Sequence, residues 1–210
     1  MRFLVFSDTH GKHRLLKNLP EADVVIHAGD VSKEDGSERS VVDFLRWFSS
    51  LEYGYKIFIA GNHDPFFEQE SEKYIAKTIP SNVIYLNDSR VSIEGVEIWG
   101  SPVTPTFWNW AFNRERGKSV NKHWKLIPED TDILITHGPP AGILDQVGAN
   151  DHAGCADLLK RVKSIKPRYH LFGHIHGGYG TLENGETTFI NASVVDDQYI
   201  LKNPPVLFSF

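Results

Sequence analysis

The chain has 210 residues, with 22 Lys and Arg against 27 Asp and Glu, which gives a formal net charge of -5 at pH 7. This length suits one domain with a sizeable core, so we expect a single domain over residues 1–210. The acidic balance argues against long nucleic acids as partners, because their binding depends on many contacts between basic side chains and phosphates. The single cysteine, Cys155, excludes an internal disulfide framework and fits a reducing compartment.

The apolar runs of the sequence are short. None approaches the roughly 18 residues that a membrane-spanning helix needs, so we expect no membrane partner. The first run, Phe3 to Phe6, begins almost at Met1 and leaves no room for a signal peptide. Together with the single cysteine, these features predict a soluble, cytoplasmic protein.

Strand-like and helix-like segments alternate along the chain. Short β-branched and aromatic runs predict strands buried on both faces at residues 3–6, 24–26, 56–60, 133–135 and 170–172. Apolar residues at helical spacing predict helices over 41–48 and 156–165, the second ended by Lys166-Pro167. Further short strands are predicted at 83–86, 91–93, 96–99, 179–182, 187–190 and 206–210. The alternation predicts an α/β fold with two packed mixed β-sheets flanked by helices.

The last predicted strand has two possible places. The segment from Tyr199 to Phe210 contains Pro204-Pro205 and ends in an apolar run. It either closes the sheet of its own chain or extends the edge of a partner's sheet. The sequence therefore leaves the oligomeric state open.

Five short polar segments each follow an apolar run. They are Asp8-Thr9-His10, Gly29-Asp30, Gly61-Asn62-His63-Asp64, Thr136-His137-Gly138 and Gly173-His174-Ile175-His176. Ligands of open α/β sheets bind outside the carboxyl ends of the strands, so we expect these segments to meet at one edge. Carboxylate, amide and imidazole groups without thiolates favour Mn, Fe, Zn or Co over a structural zinc site. The sequence predicts two divalent metal ions side by side, with Asp30 as the candidate bridge.

A pair of such ions suits the hydrolysis of phosphoesters. Two dications against two carboxylates leave a local positive charge, which attracts an anionic phosphoester and lowers the pKa of a bridging water toward neutral. His63 follows the candidate ligand Asn62, so its imidazole must lie near the ions. An imidazole is able to protonate a leaving group near neutral pH. The alternative for His63 is a structural role beside the metals.

The five motifs resemble the signature of the calcineurin-like metallophosphoesterase superfamily. Within the chain, residues 100–113, 136–140, 173–180 and 191–193 resemble its MPPED subgroup, and the resemblance spans residues 1–193. It implies an αββα sandwich that holds two metal ions, of which we expect Mn²⁺ first, with Fe, Zn, Co or Mg as alternatives. One implied ligand set is Asp8, His10, Asp30 and His176. The other implied ligand set is Asp30, Asn62, His137 and His174.

The same resemblance implies catalytic roles for two neighbouring residues. His63 is implied to be the general acid or transition-state stabiliser, and Asp64 is implied to be its orienting partner. Since the ligand motifs are intact, the resemblance implies an active, metal-dependent hydrolase rather than a crippled site.

A dense aromatic segment, residues 107–113, bears on the substrate. It follows Pro102 and Pro105, which enforce an irregular loop. It is either a hydrophobic plug between the sheets or an aromatic wall on which a nucleobase stacks. The second interpretation makes Trp108, Trp110 and Asn113 substrate-contact candidates. His152, in the Gly-rich loop after His137, is a further candidate.

We therefore expect a phosphodiesterase acting on small nucleotides, including cyclic nucleotides, with a metal-bridging hydroxide as nucleophile. Two alternatives stay open. One is a phosphomonoesterase, including a phosphoprotein phosphatase. The other is a metal- or nucleotide-binding regulator with low activity. Preference between a phosphodiester and a phosphomonoester in a parallel assay separates the first two, and the absence of turnover indicates the third.

Overall fold

The computed structural model describes residues 1–33, 35–148 and 151–210. Five α-helices lie in these ranges: α1 Glu38–Ser49, α2 Phe66–Gln69, α3 Glu72–Thr78, α4 Lys118–Trp124 and α5 Ala156–Ile165. The strands up to the middle of the chain are β1 Arg2–Phe6, β2 Val24–Ala28, β3 Tyr55–Ile59, β4 Ile84–Tyr85, β5 Ser89–Ile93, β6 Val96–Ser101, β7 Thr104–Pro105 and β8 Asn113–Arg114. The remaining strands are β9 Ile133–Thr136, β10 Tyr169–Phe172, β11 Gly180–Asn184, β12 Thr187–Asn191 and β13 Val206–Ser209.

Two mixed sheets form the centre of the fold. The first has the strand order β13-β1-β2-β3-β4, in which β1 to β4 are parallel and β13 is antiparallel to β1. The second has the order β11-β12-β10-β9-β6-β5, with antiparallel strands at its two edges and parallel strands between them. A short parallel pair, β7 and β8, lies apart from both sheets. The predicted α/β architecture with two mixed sheets is confirmed.

Three apolar layers hold the sheets and helices together. Along β1, Phe3 and Val5 face the second sheet, while Leu4 and Phe6 face the opposite side, where α1 packs. A strand buried on both faces explains why the sequence of β1 is one continuous apolar run. On the outer face of the second sheet, α4 and α5 form the third layer, in which Trp124 is fully buried. The order of layers is therefore helix, sheet, sheet, helix.

The C-terminal strand closes the sheet of its own chain. β13 pairs with β1 from Arg2 opposite Ser209 to Val5 opposite Val206. Phe208 stacks on Phe3 with ring centroids 5.2 Å apart. Of the two places left open by the sequence, this is the first, and it covers the edge of β1.

The described helices are short. The longest, α1, has 12 residues, and none of the described helices combines the length with the apolar character that a bilayer crossing requires. Ser37 caps the start of α1, because its hydroxyl accepts a hydrogen bond from the amide of Ser40. Lys166 follows the last residue of α5, has a left-handed backbone conformation, and directly precedes Pro167.

Candidate metal centre

The polar segments meet where the central strands of both sheets end. Asp8, Asp30 and Asn62 follow β1, β2 and β3, and His137 and His174 follow β9 and β10. The two sheets are joined directly at this edge. The amide of Ser7 donates to the carbonyl oxygen of Ala192 at 2.9 Å, and the amide of Val194 donates to the carbonyl oxygen of Ser7 at 3.1 Å. This junction brings ligand candidates from the two sheets to one place.

Three groups of side chains place their ligand atoms within 4.8 Å of one another. The groups are Asp8 with His10 and His176; Asp30 with His137 and His174; and His10 with Asp30 and His63. The first two are parts of the two ligand sets implied by the resemblance. Asp30 lies next to both, as a bridging carboxylate must. The third group adds His63 as a neighbour of the bridge.

The surroundings of His137 show that a cation fits this site. Its Nδ1 lies 3.0 Å from the carbonyl oxygen of Ala28, so Nδ1 is a donor and Nε2 is the ring nitrogen left to bind a cation. Nε2 in turn lies 3.3 Å from Asp30 Oδ2 and 2.9 Å from Asn62 Oδ1. Nε2 and these two oxygens are thus three potential ligand atoms that lie close together. A histidine whose other ring nitrogen donates to a backbone carbonyl is the usual arrangement of a metal ligand.

The second ligand set has the same character. His10 Nε2 lies 3.3 Å from His176 Nε2 and 3.7 Å from Asp30 Oδ2. His176 Nε2 lies 3.7 Å from Asp8 Oδ1. Two imidazole nitrogens facing each other between carboxylates form a mixed nitrogen and oxygen donor set, which suits a divalent transition metal.

Charge and burial together set the protonation of these groups. Burial alone would raise the pKa of Asp30, but the charge of His137 holds it well below its usual range. Burial lowers the pKa of His10 to about 4 and that of His174 to about 3. Burial opposes protonation of His137 as well, yet the Asp30 carboxylate raises its pKa to about 9. The result is ionised Asp30 beside neutral His10 and His174, which are the forms that bind metals. His137 would release its Nε2 proton when a metal binds.

Backbone conformation also marks this centre. Asp8, His10, Asp30 and His174 have φ angles of 55°, 41°, 58° and 67°, in the left-handed region that residues other than glycine seldom adopt. Such conformations cost energy and persist where the surrounding structure fixes them, as at active sites. The glycine of the Gly-Asn-His-Asp motif, Gly61, packs against Asp30 so closely that a Cβ there would overlap its carboxylate. The motif glycine is therefore a requirement of packing.

His63 lies at the edge of the cluster. Its amide donates to Asp30 Oδ1 at 2.8 Å, which ties it to the bridge. Its imidazole packs edge to face on His10, with ring centroids 5.0 Å apart, and lies 4.9 Å from the indole of Trp110. It lines a cavity of about 190 Å³ over the ligands and a neighbouring cavity of about 430 Å³. His63 thus lies between the ligand candidates and both cavities.

Asp64 makes contacts that differ from its implied role. Its carboxylate accepts hydrogen bonds from the amides of Gly61, Val31 and Ser32, at 2.8, 3.1 and 2.8 Å. In the described part of the chain, no hydrogen bond joins it to the His63 ring. Burial raises the pKa of Asp64 to about 6, against the effect of these donors. The described contacts of Asp64 therefore link the two loops that carry Asp30 and Asn62, and its role as orienting partner of His63 stays a prediction.

The aromatic segment forms the loop between β7 and β8. Phe107 and Trp108 are 69% and 64% exposed, so the interpretation of this part as a plug between the sheets is wrong. The two rings pack edge to face on each other, with centroids 5.7 Å apart, while Trp110 turns inward to His63. Phe112 alone among these four rings is buried in the apolar layer beside α1. The segment therefore forms an exposed aromatic surface, and Trp110 lies on the side that faces His63.

Two further substrate-contact candidates are engaged in loop structure. Asn113 donates from Nδ2 to Thr104 Oγ1 at 2.9 Å, and its Oδ1 accepts from the amide of Phe107 at 3.2 Å. Its amide group therefore closes the aromatic loop instead of facing the cavity. His152 places Nδ1 2.7 Å from Oδ1 of buried Asp145, and its ring stays half exposed.

Sequence reasoning missed Tyr199 as part of this centre. Its ring lies 4.8 Å from that of His10 and 4.9 Å from that of His176, and it lines the cavity over the ligands. No motif surrounds Tyr199 in the sequence, so its position follows only from the fold of the chain around it.

Comparison with known proteins decides the family. The family model described as calcineurin-like phosphoesterase matches residues 1–178, which include all the proposed metal ligands. The chain belongs to the calcineurin-like phosphoesterase family. Proteins named Metallophosphoesterase domain-containing protein 1, from Homo sapiens and Mus musculus, are each 43% identical over 229 residues. The match covers 98% of this chain and 70% of either relative.

A solved structure supports the fold of this calcineurin-like phosphoesterase. The structure of TT1561 from Thermus thermophilus superimposes with a TM-score of 0.63 at 16% identity, over 90% of this chain and 88% of the other. The implied superfamily and its MPPED subgroup are thus confirmed. Family membership implies a metal-dependent hydrolase of phosphoesters that binds divalent metals, and the ligand groups of the centre are present.

Proposed function

We propose that this calcineurin-like phosphoesterase hydrolyses phosphodiester bonds of small nucleotides, including cyclic nucleotides, with two divalent metal ions, Mn²⁺ first among them. The observation that carries this proposal is the contact between Trp110 and His63, whose ring centroids lie 4.9 Å apart. An aromatic face suited to a base thereby adjoins the group that would protonate a leaving alkoxide.

The geometry supports the ligand roles that the resemblance implies. Asp30 would lie between the ions, with its Oδ2 facing His137 at 3.3 Å and His10 at 3.7 Å. When bound, the ions lower the pKa of a nucleophilic water and polarise the phosphoryl oxygens. The remaining ligands, divided as the resemblance implies, are Asp8, His10 and His176 on one side and Asn62, His137 and His174 on the other.

His63 performs the proton step. Its backbone bond to Asp30 holds it next to the ligands, and its ring is free of hydrogen bonds to the side chains described around it. The imidazole is therefore able to turn toward the departing oxygen and to donate its proton there.

The cavity beside His63 favours a base over a second phosphate. Its volume of about 430 Å³ is in the range of small-ligand sites. Trp110 provides one wall, and Asn109 and Gln69 offer side-chain amides to the polar edge of a base. The carboxylate of Asp35 lines the same cavity and disfavours an additional phosphate group there. These features favour a small nucleotide over a phosphoprotein or a polynucleotide.

Two broader expectations remain part of this proposal. We propose that residues 1–210 act as one domain, supported by the pairing of β13 with β1, which joins the two ends of the described chain. We also propose a reducing, cytoplasmic location, supported by Cys155, which is buried and not in a disulfide.

A parallel assay tests the activity. Purified protein with Mn²⁺ would be given bis-p-nitrophenyl phosphate, p-nitrophenyl phosphate, and a panel of 2′,3′- and 3′,5′-cyclic nucleotides. We expect a higher kcat/KM for the diester than for the monoester, and turnover of at least one cyclic nucleotide. Preference for the monoester would replace the proposal with a phosphomonoesterase, and no turnover with any divalent metal would indicate a binding protein.

A further inference from the structure

The segment between β12 and β13 forms a tight turn beside the metal centre. Val195 and Leu201 pair as an antiparallel bridge, and the amide of Asp196 donates to the carbonyl oxygen of Ile200 at 3.0 Å. The amide of Tyr199 donates to the carbonyl oxygen of Asp196 at 2.8 Å. These bonds hold Tyr199 at a φ of 58°, which is unusual for a bulky side chain. The conformation is therefore imposed by the turn, and it fixes the direction of the Cα–Cβ bond of Tyr199.

The Tyr199 ring packs on two imidazoles of one ligand set. It meets His10 at an interplanar angle of 67° and His176 at 90°, with ring centroids 4.8 and 4.9 Å away. The Nε2 atoms of His10 and His176 face each other at 3.3 Å, so a small rotation of either ring changes the ligand geometry.

The other ligand set is supported differently. His137 is fixed by its bond to the carbonyl oxygen of Ala28, and it packs on His174 with ring centroids 5.0 Å apart. These supports come from β2 and the two histidine loops themselves. Tyr199, in contrast, lies outside residues 1–178, which match the family model. The C-terminal turn thus adds a support to one ligand set that the family motifs do not contain.

We propose that Tyr199 is a positioning residue, which holds His10 and His176 in ligating orientation and so sets the affinity of one of the two metal sites. Groups that orient a metal-ligating histidine typically change metal affinity 10- to 100-fold when removed. Ring packing is weaker than the hydrogen bonds from which that range derives, so we expect a loss of about tenfold. The loss falls on the site of Asp8, His10 and His176, and the site of Asn62, His137 and His174 keeps its affinity.

Metal titration without substrate tests this proposal. Metal-free protein would be titrated with Mn²⁺ by isothermal calorimetry and with Co²⁺ by visible absorption, for the wild type, Tyr199→Phe, Tyr199→Ala and Ile200→Ala. Ile200 belongs to the same turn but is 60% exposed, so it is the matched control. We expect Tyr199→Ala to weaken one of two sites about tenfold and to change the Co²⁺ spectrum. Tyr199→Phe keeps the ring and should bind like the wild type, as should Ile200→Ala.

Two results would overturn the proposal. The first is unchanged affinity at both sites together with an unchanged Co²⁺ spectrum in Tyr199→Ala. The second is an equal loss in Tyr199→Phe, which would assign the effect to the hydroxyl. If circular dichroism shows that Tyr199→Ala does not fold, Tyr199→Leu takes its place, because it keeps bulk without an aromatic ring. Since no substrate is used, failure of the phosphodiesterase proposal leaves this outcome unaffected.

Discussion

The indole of Trp110 packs on the imidazole of His63, with ring centroids 4.9 Å apart and an interplanar angle of 43°. His63 in turn packs on His10, one of the proposed metal ligands, at 5.0 Å. A continuous row of rings therefore runs from the exposed aromatic loop to the metal centre. This row places His63 between the aromatic loop and the proposed metal ligands, which makes its removal the most informative single change.

Replacement of His63 should separate metal binding from catalysis. We expect His63→Ala to retain both metals and to lose roughly 10²–10⁴-fold in kcat, the range of general acid catalysis. The loss should shrink for p-nitrophenyl esters, because their leaving groups need no proton. Elemental analysis and kcat for matched p-nitrophenyl and alkyl diesters measure both effects.

Two outcomes would contradict this assignment of His63. An equal loss on both esters would remove its role as an acid. Loss of one metal from His63→Ala would make it a ligand, a role for which its place beside His10 and Asp30 also provides the geometry.

Removal of the bridging charge should affect both metal sites. In Asp30→Asn we expect lower occupancy of both ions and no measurable turnover, because two cations a few ångströms apart repel strongly without an anion between them. Asp130→Asn is the control, since Asp130 is exposed, pairs with Arg90, and precedes β9 at the end of the strand opposite to His137. Elemental analysis of both variants gives the occupancy. Two metals retained at wild-type activity would exclude Asp30 as the bridge.

Asp64 should act through the loops that it holds. In Asp64→Asn one side of the carboxylate becomes an NH₂ group facing amide donors, so one or two of the three bonds from Gly61, Val31 and Ser32 are lost. Hydrogen bonds to a charged group contribute about 1.5–3 kcal/mol each, so we expect the free energy of unfolding to fall by about that amount or more. Urea denaturation of metal-free protein measures it.

The pH dependence of kcat distinguishes support of the loops by Asp64 from the orientation of His63 that the resemblance implies. If Asp64 supports only the loops, Asp64→Asn lowers metal affinity and stability while the kcat profile keeps its shape. If Asp64→Asn instead shifts one limb of the pH profile of kcat and leaves the free energy of unfolding unchanged, Asp64 is the orienting partner of His63.

Most of the fold and the ligand motifs were predictable because both depend on local sequence. β1, β2, β3, β9 and β10 are mainly apolar, and polar residues follow the end of each strand. α2, α3 and α4 were not predicted, since helices of 4 to 7 residues are too short to show a repeated apolar period. Their positions depend on packing against the sheets.

Contacts between residues that lie far apart along the chain were not predictable from the sequence. Tyr199 reaches His10 across nearly the whole chain, and Asp64 bonds to amides of the loop that follows Asp30. Asn113 has the polarity of a substrate contact, but its amide closes a loop. In each of these residues the chemical type permits several roles, and only the three-dimensional partner selects one.

The two tryptophans of the aromatic loop should behave differently. Trp110 contacts His63, whereas Trp108 packs on Phe107 and is 64% exposed. If a base stacks on Trp110, Trp110→Ala should raise KM for a nucleotide by a factor equivalent to about 1–3 kcal/mol, the range for stacking of a base on an aromatic ring. Trp108→Ala, the matched control from the same loop, should change KM little.

A small diester without a base provides the decisive comparison for this prediction. Trp110→Ala should turn over methyl p-nitrophenyl phosphate like the wild type, because the ligands and His63 are retained. A uniform loss on both substrates would mean that Trp110 acts by holding the His63 ring. An equal effect of Trp108→Ala would shift the stacking surface to the outer, exposed rings. Either result would remove the main support for nucleotide recognition by Trp110 and would open the substrate class to any phosphoester that reaches the metal ligands.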